Sequence, residues 1–211
     1  MQFIYPSIII INGSPGSGKT NPLKYLLVSA FKKNQLAYGI VFCPTAFNQS
    51  YNYLDNKYVF TGYNEEVLIN LMNVQIQQLK NNNKCNPSFV VFDDCIGTID
   101  FGSSFFNQLI STYRHYNLTL IFSTQYLYKL TTLIRSCCTY FITFNESIKR
   151  NIQAIYETFM GEFDTYNLCK KFIQEHCKDY KFIVVLCNKS DNKFLVCKAP
   201  LMLNNNIKIE F

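Results

Sequence analysis

Residues 13–20 read Gly-Ser-Pro-Gly-Ser-Gly-Lys-Thr and directly follow the apolar run Ser7–Ile11. This is the spacing G-x-x-x-x-G-K-S/T in its required context, with a buried strand before it and helix-compatible residues after it. The glycines let the backbone wrap a polyphosphate, and successive N–H groups at a helix start supply positive potential. Lys19 can reach the terminal phosphates, and the Thr20 hydroxyl can ligate Mg²⁺. The motif predicts a nucleoside triphosphate site formed by Gly13, Ser14, Pro15, Gly16, Ser17, Gly18, Lys19 and Thr20.

The composition fits one folded domain that spans residues 1–211. Of the 211 residues, 48% are hydrophobic and 16% are charged, which provides a sizeable core and argues against a disordered chain. The net charge of +6 is compatible with a nucleic-acid partner but does not demand one.

The nine cysteines are odd in number and form no C-x-x-C pair, which predicts a reducing, intracellular compartment without disulfides. No apolar run approaches the roughly 18 residues that span a membrane. The N-terminus leads directly into the phosphate loop, so we expect no removable signal peptide.

Strand-like and helix-like segments alternate, which predicts an α/β fold around a mostly parallel sheet. The predicted strands are Phe3–Ile11, Tyr38–Cys43, Ser88–Phe92, Leu118–Phe122 and Tyr140–Phe144, and a C-terminal hairpin joins Phe182–Cys187 to Phe194–Cys197. Helices are expected at about 18–33, from Asn64 to the asparagine run at 81–83, and at about 105–113, 148–159 and 164–177.

Two acids follow the apolar strand Phe89–Phe92. A buried strand that ends in an acid places the carboxylate beside the phosphate loop, where Asp93 can hold Mg²⁺ through water. The adjacent Asp94 could polarise the attacking water as a general base. The alternative is that either acid only caps a helix or turns the chain.

Gln125 ends the next strand, after Ser123 and Thr124. An amide at this place could hydrogen-bond the γ-phosphate and the attacking water together, so we predict that Gln125 is a phosphate sensor. The alternative is a strand-ending glutamine that meets only solvent.

The chain contains three arginines. In motors whose hydrolysis site lies between two subunits, one subunit usually inserts an arginine into its neighbour's site. Arg135 precedes the fifth predicted strand and is our first candidate for this finger. Arg114, which ends the helix before the Gln125 strand, is the second, although it could simply complement the helix dipole. Arg150 lies beside Lys149 in a helix and is expected to face solvent.

Two short motifs suggest a GTPase instead. Asp94-x-x-Gly97 matches D-x-x-G, and Asn188-Lys189-Ser190-Asp191 matches N-K-x-D. However, the second motif lies between two apolar runs that form the predicted hairpin, one strand later than guanine recognition requires.

With these residues placed, the chain resembles the FtsK–HerA superfamily of P-loop motors, and above all the viral genome-packaging ATPases of poxviruses, giant viruses, virophages and polinton-like elements. The resemblance covers about residues 5–160. It rests on the phosphate loop, Phe92-Asp93-Asp94, Tyr113–Asn117 before the strand that ends Ser123-Thr124-Gln125, and Ile134-Arg135-Ser136. Arg114-His115 before the Thr124-Gln125 strand is its distinguishing part.

The resemblance implies a RecA-like core of the additional-strand (ASCE) type with sheet order 5-1-4-3-2. It also implies a homo-oligomeric ring, a pentamer or hexamer, that hydrolyses ATP with Mg²⁺ and threads double-stranded DNA into a preformed capsid through a portal or vertex protein. Such a motor works in the cytoplasm of an infected cell, in the viral factory, or associated with the virion.

The chain departs from its relatives in two ways. Asp94 stands where glutamate is common, which puts its strength as a base in question. We also expect no attached nuclease or separate DNA-binding domain, in which case ring-lining loops would grip DNA; the candidates are Lys129, Lys170 and Lys171. A small nucleoside kinase would need clustered arginines that are absent here. A non-catalytic, nucleotide-dependent scaffold on a capsid or membrane stays open as an alternative.

Overall fold

A computed structural model describes residues 3–48, 50–189, 191, 193–200 and 209. Its described strands form one sheet of eight. They are β1 (Ile8–Asn12), β2 (Tyr38–Phe42), β3 (Val59–Phe60), β4 (Ser88–Asp93), β5 (Leu118–Thr124), β6 (Tyr140–Thr143), β7 (Lys181–Leu186) and β8 (Phe194–Lys198).

The strand order is β3-β2-β4-β5-β1-β6-β7-β8. The strands from β3 to β6 pair in parallel, whereas β7 and β8 are antiparallel. The five predicted strands therefore lie in the order 5-1-4-3-2, as expected. The sheet is wider than expected, because β3 extends one side and the predicted hairpin, β7–β8, extends the other.

The described part of the chain forms six α-helices between these strands: α1 (Thr20–Lys32), α2 (Glu65–Asn82), α3 (Ser104–Thr112), α4 (Thr132–Ser136), α5 (Lys149–Phe159) and α6 (Tyr166–His176). The predicted helix start at Asn64 is confirmed, because its side chain accepts a hydrogen bond from the Glu66 N–H at 2.9 Å. Helix α4 was not predicted. It is too short to show a helical repeat, and Ile134 is its one buried residue.

The central strands are buried on both faces, which is why they read as continuous apolar runs. In β1, Ile8 and Ile10 pack into the core on one face of the sheet, and Ile9 and Ile11 pack into the core on the other. All four are 0% exposed. Polar side chains are thereby confined to the ends of these strands.

We call the side where β1, β4 and β5 end the carboxyl edge of the sheet, and the opposite side the amino edge. β7 runs in the reverse direction, since Ile183 pairs with Thr143 and Leu186 pairs with Tyr140. The chain therefore enters β7 at the carboxyl edge and leaves it at the amino edge.

Three further features concern the described part of the chain. All nine cysteines fall within it and are free thiols. None of its helices is long and apolar enough to cross a membrane. The described His, Cys, Asp and Glu side chains form no group of three or more that could hold a metal ion.

Candidate active site

The phosphate loop connects β1 to α1 at the carboxyl edge. Gly16 and Gly18 have φ angles of 73° and 94°, which residues with a Cβ rarely adopt. A Cβ at Gly13 would lie 2.5 Å from Ser17 Oγ, so any other residue there would force the Ser17 side chain to move. The first turn of α1 has no acidic residue and no side-chain cap. A helix start without an acid favours a bound anion, and in this structure the Asn21 N–H bonds the Gly18 carbonyl at 3.2 Å.

Lys19 reaches back across this loop. Its Nζ donates a hydrogen bond to the Gly13 carbonyl at 2.7 Å and lies 4.0 Å from Asp94 Oδ2. The residue is 8% exposed. Its ammonium group is thus held at the loop, between the backbone that would cradle phosphate and the acid that follows β4.

Asp93 ends β4, and its carboxylate is held by two side chains from the chain after β2. Oδ2 accepts a hydrogen bond from the Tyr51 hydroxyl at 2.8 Å and another from the Cys43 thiol at 3.5 Å. Burial raises the pKa of Cys43 to about 11 and that of Tyr51 well above its ordinary value, so both remain protonated donors. Neither partner was predicted, since neither belongs to a motif.

These residues fit a magnesium ion. Mg²⁺ uses one or two protein oxygens together with waters and substrate phosphates. Tyr51 and Cys43 both bind Oδ2 of Asp93, and the hydroxyl-bearing Thr20 is exposed at the start of α1. Hard oxygen donors of this kind suit Mg²⁺, and the second Asp93 oxygen is not used by either side chain.

Asp94 and Gln125, which the sequence analysis assigned separate roles, meet between the ends of β4 and β5. Gln125 Nε2 donates a hydrogen bond to Asp94 Oδ2 at 2.9 Å. Burial raises the pKa of Asp94, while Gln125 and Lys19 act in the opposite direction. The backbone of Asp94 is left-handed, with φ of 51°, and its N–H is bonded to the Ser123 carbonyl at 2.9 Å. This hydrogen-bonded turn therefore holds the Asp94 carboxylate in its position at the site.

A buried polar cluster that the sequence did not predict is joined to the site through Gln125. Glu146 is 1% exposed and accepts hydrogen bonds from Asn12 at 3.1 Å, from Asn151 at 2.7 Å and from the next two backbone N–H groups. The same Asn151 amide donates to the Gln125 carbonyl at 2.7 Å. A polar residue directly before the phosphate loop, Asn12, was the one available signal.

Neither arginine candidate lies at the phosphate loop of its own chain. Arg135, on α4 just before β6, donates to the hydroxyls of Thr158 at 3.2 Å and Thr132 at 3.4 Å near the amino edge. Arg114 is exposed before β5, and its Nε donates to the Tyr113 hydroxyl at 2.9 Å. Arg150 is exposed, as predicted, and stands 5.8 Å from the Tyr128 ring centroid.

The candidate DNA-contacting lysines lie on two different elements. Lys129 follows β5 at the carboxyl edge, with its Nζ 5.2 Å from the Tyr126 ring centroid. Lys170 and Lys171 belong to α6, where Lys171 forms an exposed ion pair with Glu175 at 3.8 Å.

The GTPase interpretation is wrong. Asn188, Lys189 and Asp191 follow β7, and Ser190 lies outside the described residues. Since β7 leaves the sheet at the amino edge, where Cys187 N–H bonds the Thr139 carbonyl at 3.1 Å, the motif stands opposite the phosphate loop. It cannot read a base bound at that loop.

A parallel sheet in this order, with a glycine loop after its central strand and paired acids two strands away, defines a P-loop nucleoside triphosphatase of the additional-strand class. Within that class, the chain can be assigned to a particular protein family. The profile of the poxvirus A32 protein family matches residues 5–199, and the chain belongs to this family.

Individual relatives are distant but match over most of their length. Protein 075L of Invertebrate iridescent virus 6 is 23% identical over 191 residues, which cover 88% of this chain and 72% of the relative. Protein L437 of Acanthamoeba polyphaga mimivirus is 24% identical over 202 residues, which cover 90% of this chain and 70% of that relative. Among solved structures, the genome packaging NTPase B204 from Sulfolobus turreted icosahedral virus 2, in complex with ATP-gammaS, matches with a TM-score of 0.68 and 16% identity. The match covers 92% of this chain and 98% of the B204 chain.

Proposed function

We propose that this protein is an ATP-hydrolysing translocase that packages viral double-stranded DNA into a preformed capsid. The observation that carries the proposal is the meeting of three side chains: Asp94 Oδ2 lies 4.0 Å from Lys19 Nζ and 2.9 Å from Gln125 Nε2. An ammonium at the phosphate loop, an acid and an amide in this arrangement can hold a terminal phosphate and a water together. The similarity in fold to a genome packaging NTPase supports the packaging role.

In the proposed mechanism, the loop Gly13–Thr20 binds the phosphates through its N–H groups, and Lys19 neutralises the terminal charge. Asp94 takes the proton of the attacking water, for which its raised pKa makes it a stronger base than an ordinary aspartate. Gln125 orients that water and the acid. Thr20 and Asp93 would hold Mg²⁺, which supplies charge neutralisation when bound.

The site is incomplete in one subunit under this proposal, because it needs a cation for the charge that develops on the transferred phosphoryl group. Arg135, with Arg114 as the alternative, would supply it from a neighbouring subunit in a ring of five or six copies. In support, both arginines stand away from their own phosphate loop. Arg135 Nε is also buried without a hydrogen-bond partner among the described residues.

For the DNA contact, we propose Lys129 first. It stands on a loop directly after the Gln125 strand, beside the exposed ring of Tyr126. Lysine contacts to phosphates give binding that is independent of sequence and sensitive to salt, which suits a translocase. Lys170 and Lys171 are the second candidates. The remaining partner is a capsid portal or vertex protein, and the place of action is the cytoplasm of an infected cell or the virion.

The decisive experiment measures ATP hydrolysis by the purified protein with and without double-stranded DNA, while light scattering gives the oligomer size of the same sample. We expect a ring whose turnover rises with DNA, and a matched Lys19→Ala variant that does not turn over. Lys129→Ala should weaken DNA binding. The slope of the logarithm of the binding constant against the logarithm of the salt concentration should become shallower by about one. Absence of turnover in every oligomeric state would contradict the proposal and favour a nucleotide-dependent scaffold.

A further inference from the structure

An exposed aromatic ring covers one side of the phosphate loop. Tyr180 is 70% exposed, yet a Cβ added at Gly18 would lie 3.2 Å from its Cδ1 atom. The ring is held there by a tight turn between α6 and β7, in which Asp179 and Tyr180 have φ angles of 53° and 61°. Residues other than glycine seldom adopt this conformation. The turn thus presents a large apolar surface to solvent beside the nucleotide site.

The direction of the bound nucleotide follows from the sheet order. Asp93 ends β4, and Asp94 and Gln125 directly follow β4 and β5. Both strands lie on one side of β1, so these three side chains mark the terminal phosphate. A nucleoside is attached at the other end of the triphosphate. It therefore leaves the loop towards the opposite side of β1, where β6 and β7 lie and where Tyr180 precedes β7.

A second segment borders the same side of the loop. Lys181 pairs with Lys198 across β7 and β8, so the chain beyond β8 emerges next to Tyr180. Asn21, in the first turn of α1, donates a hydrogen bond to the Pro200 carbonyl at 3.2 Å. Tyr180 and residues 199–200 together flank the start of α1 on the side where the nucleoside leaves.

We propose that the Tyr180 ring is the surface on which the base of the bound nucleoside triphosphate stacks. The proposal rests on the phosphate site at Gly13–Thr20 proposed above. Aromatic stacking tolerates any base, because every base has a π-face. The ring, and not its hydroxyl, provides the contact, so Tyr180 should strengthen binding of ATP and GTP by similar factors.

The test compares two ligands by calorimetry: ATP, which has a base, and inorganic tripolyphosphate, which has none. Tyr180→Asn removes the ring while tolerating the left-handed backbone, and Tyr180→Ala serves as a second truncation. We expect both to weaken ATP about tenfold, the effect of losing one base–aromatic stack, with tripolyphosphate affinity unchanged. Tyr180→Phe should bind both ligands like the parent protein. Phe47→Ala removes a ring that is 78% exposed on the β2 side of the sheet and serves as the control.

Two results would overturn the stacking role. One is parental ATP affinity in both truncation variants, and the other is an equal loss of ATP and tripolyphosphate affinity, which would mean that Tyr180 only supports the loop. Failure of the phosphate site itself looks different, because the parent protein would then bind neither ligand.

Discussion

Asn151 and Gln125 are joined by a hydrogen bond of 2.7 Å, from the side-chain amide of Asn151 to the backbone carbonyl of Gln125. This bond fixes the first turn of α5 to the residue that contacts Asp94. Near the other end of α5, the Thr158 hydroxyl accepts a hydrogen bond from Arg135 at 3.2 Å. A single helix thereby connects the candidate phosphate sensor at the carboxyl edge with the candidate arginine finger near the amino edge.

Asn151→Ala should destabilise the protein by about 2 kcal/mol, because it removes the side-chain donor to the Gln125 carbonyl and one of the four donors to the buried Glu146 carboxylate. Urea unfolding measures the difference. Asn145→Ala, at an exposed asparagine of the same loop, is the matched control and should change stability little. A loss below about 1 kcal/mol for Asn151→Ala would contradict the importance of this cluster.

Asp94→Asn should abolish turnover, preserve ATP binding and raise the melting temperature at neutral pH. Because burial raises the pKa of Asp94, its contribution to stability is full below the carboxyl pKa of the unfolded chain and is lost as pH rises through the folded pKa. Above that range the ionised group costs stability, which asparagine removes. Thermal unfolding at neutral pH checks this, with exposed Asp164→Asn as the control; a lower melting temperature for Asp94→Asn would refute the electrostatic argument.

Gln125→Glu should lower kcat by about 10²- to 10³-fold, because the amide donor that aims Asp94 becomes an acceptor. The new negative charge also raises the pKa of Asp94 further, since like charges disfavour ionisation. The acid limb of the pH–rate profile should therefore move to higher pH. Steady-state rates across pH measure both effects, and Gln174→Glu on exposed α6 is the control. An unmoved acid limb would show that Asp94 is not the titrating base.

Arg135→Ala should reduce turnover by at least about 10³-fold while ATP still binds. If Arg135 acts in a neighbouring site, mixing it with the equally inactive Lys19→Ala variant should restore part of the activity. In mixed rings, a subunit with an intact phosphate loop can then adjoin a subunit with an intact arginine. ATPase rates of the mixture decide this. Normal turnover by Arg135→Ala alone would exclude it as the finger, and the same mixing with Arg114→Ala tests the alternative.

The fold was predictable to the extent that its signals are local. The continuous apolar runs of β1, β4 and β5 gave the buried strands, and the Asn64 cap gave the start of α2. Helix α4 and strand β3 were not predicted, because elements of five and two residues are too short to show a periodic hydrophobic pattern. The joining of the hairpin to the sheet is a long-range pairing between β6 and β7, which no local pattern reports.

The sequence by itself determined the phosphate loop, because Gly13–Thr20 is continuous and its backbone needs glycine at fixed places. The family resemblance added that the strands before Asp94 and Gln125 are neighbours, and the pairing of β4 with β5 confirms this. Only the tertiary structure decided which side chains complete the site, since Tyr51 reaches Asp93, and Asn151 reaches Gln125, through strand pairing between distant segments. The same pairing placed Tyr180 beside the phosphate loop and Asp191 at the opposite edge, because the direction of β7 was set by its contact with β6.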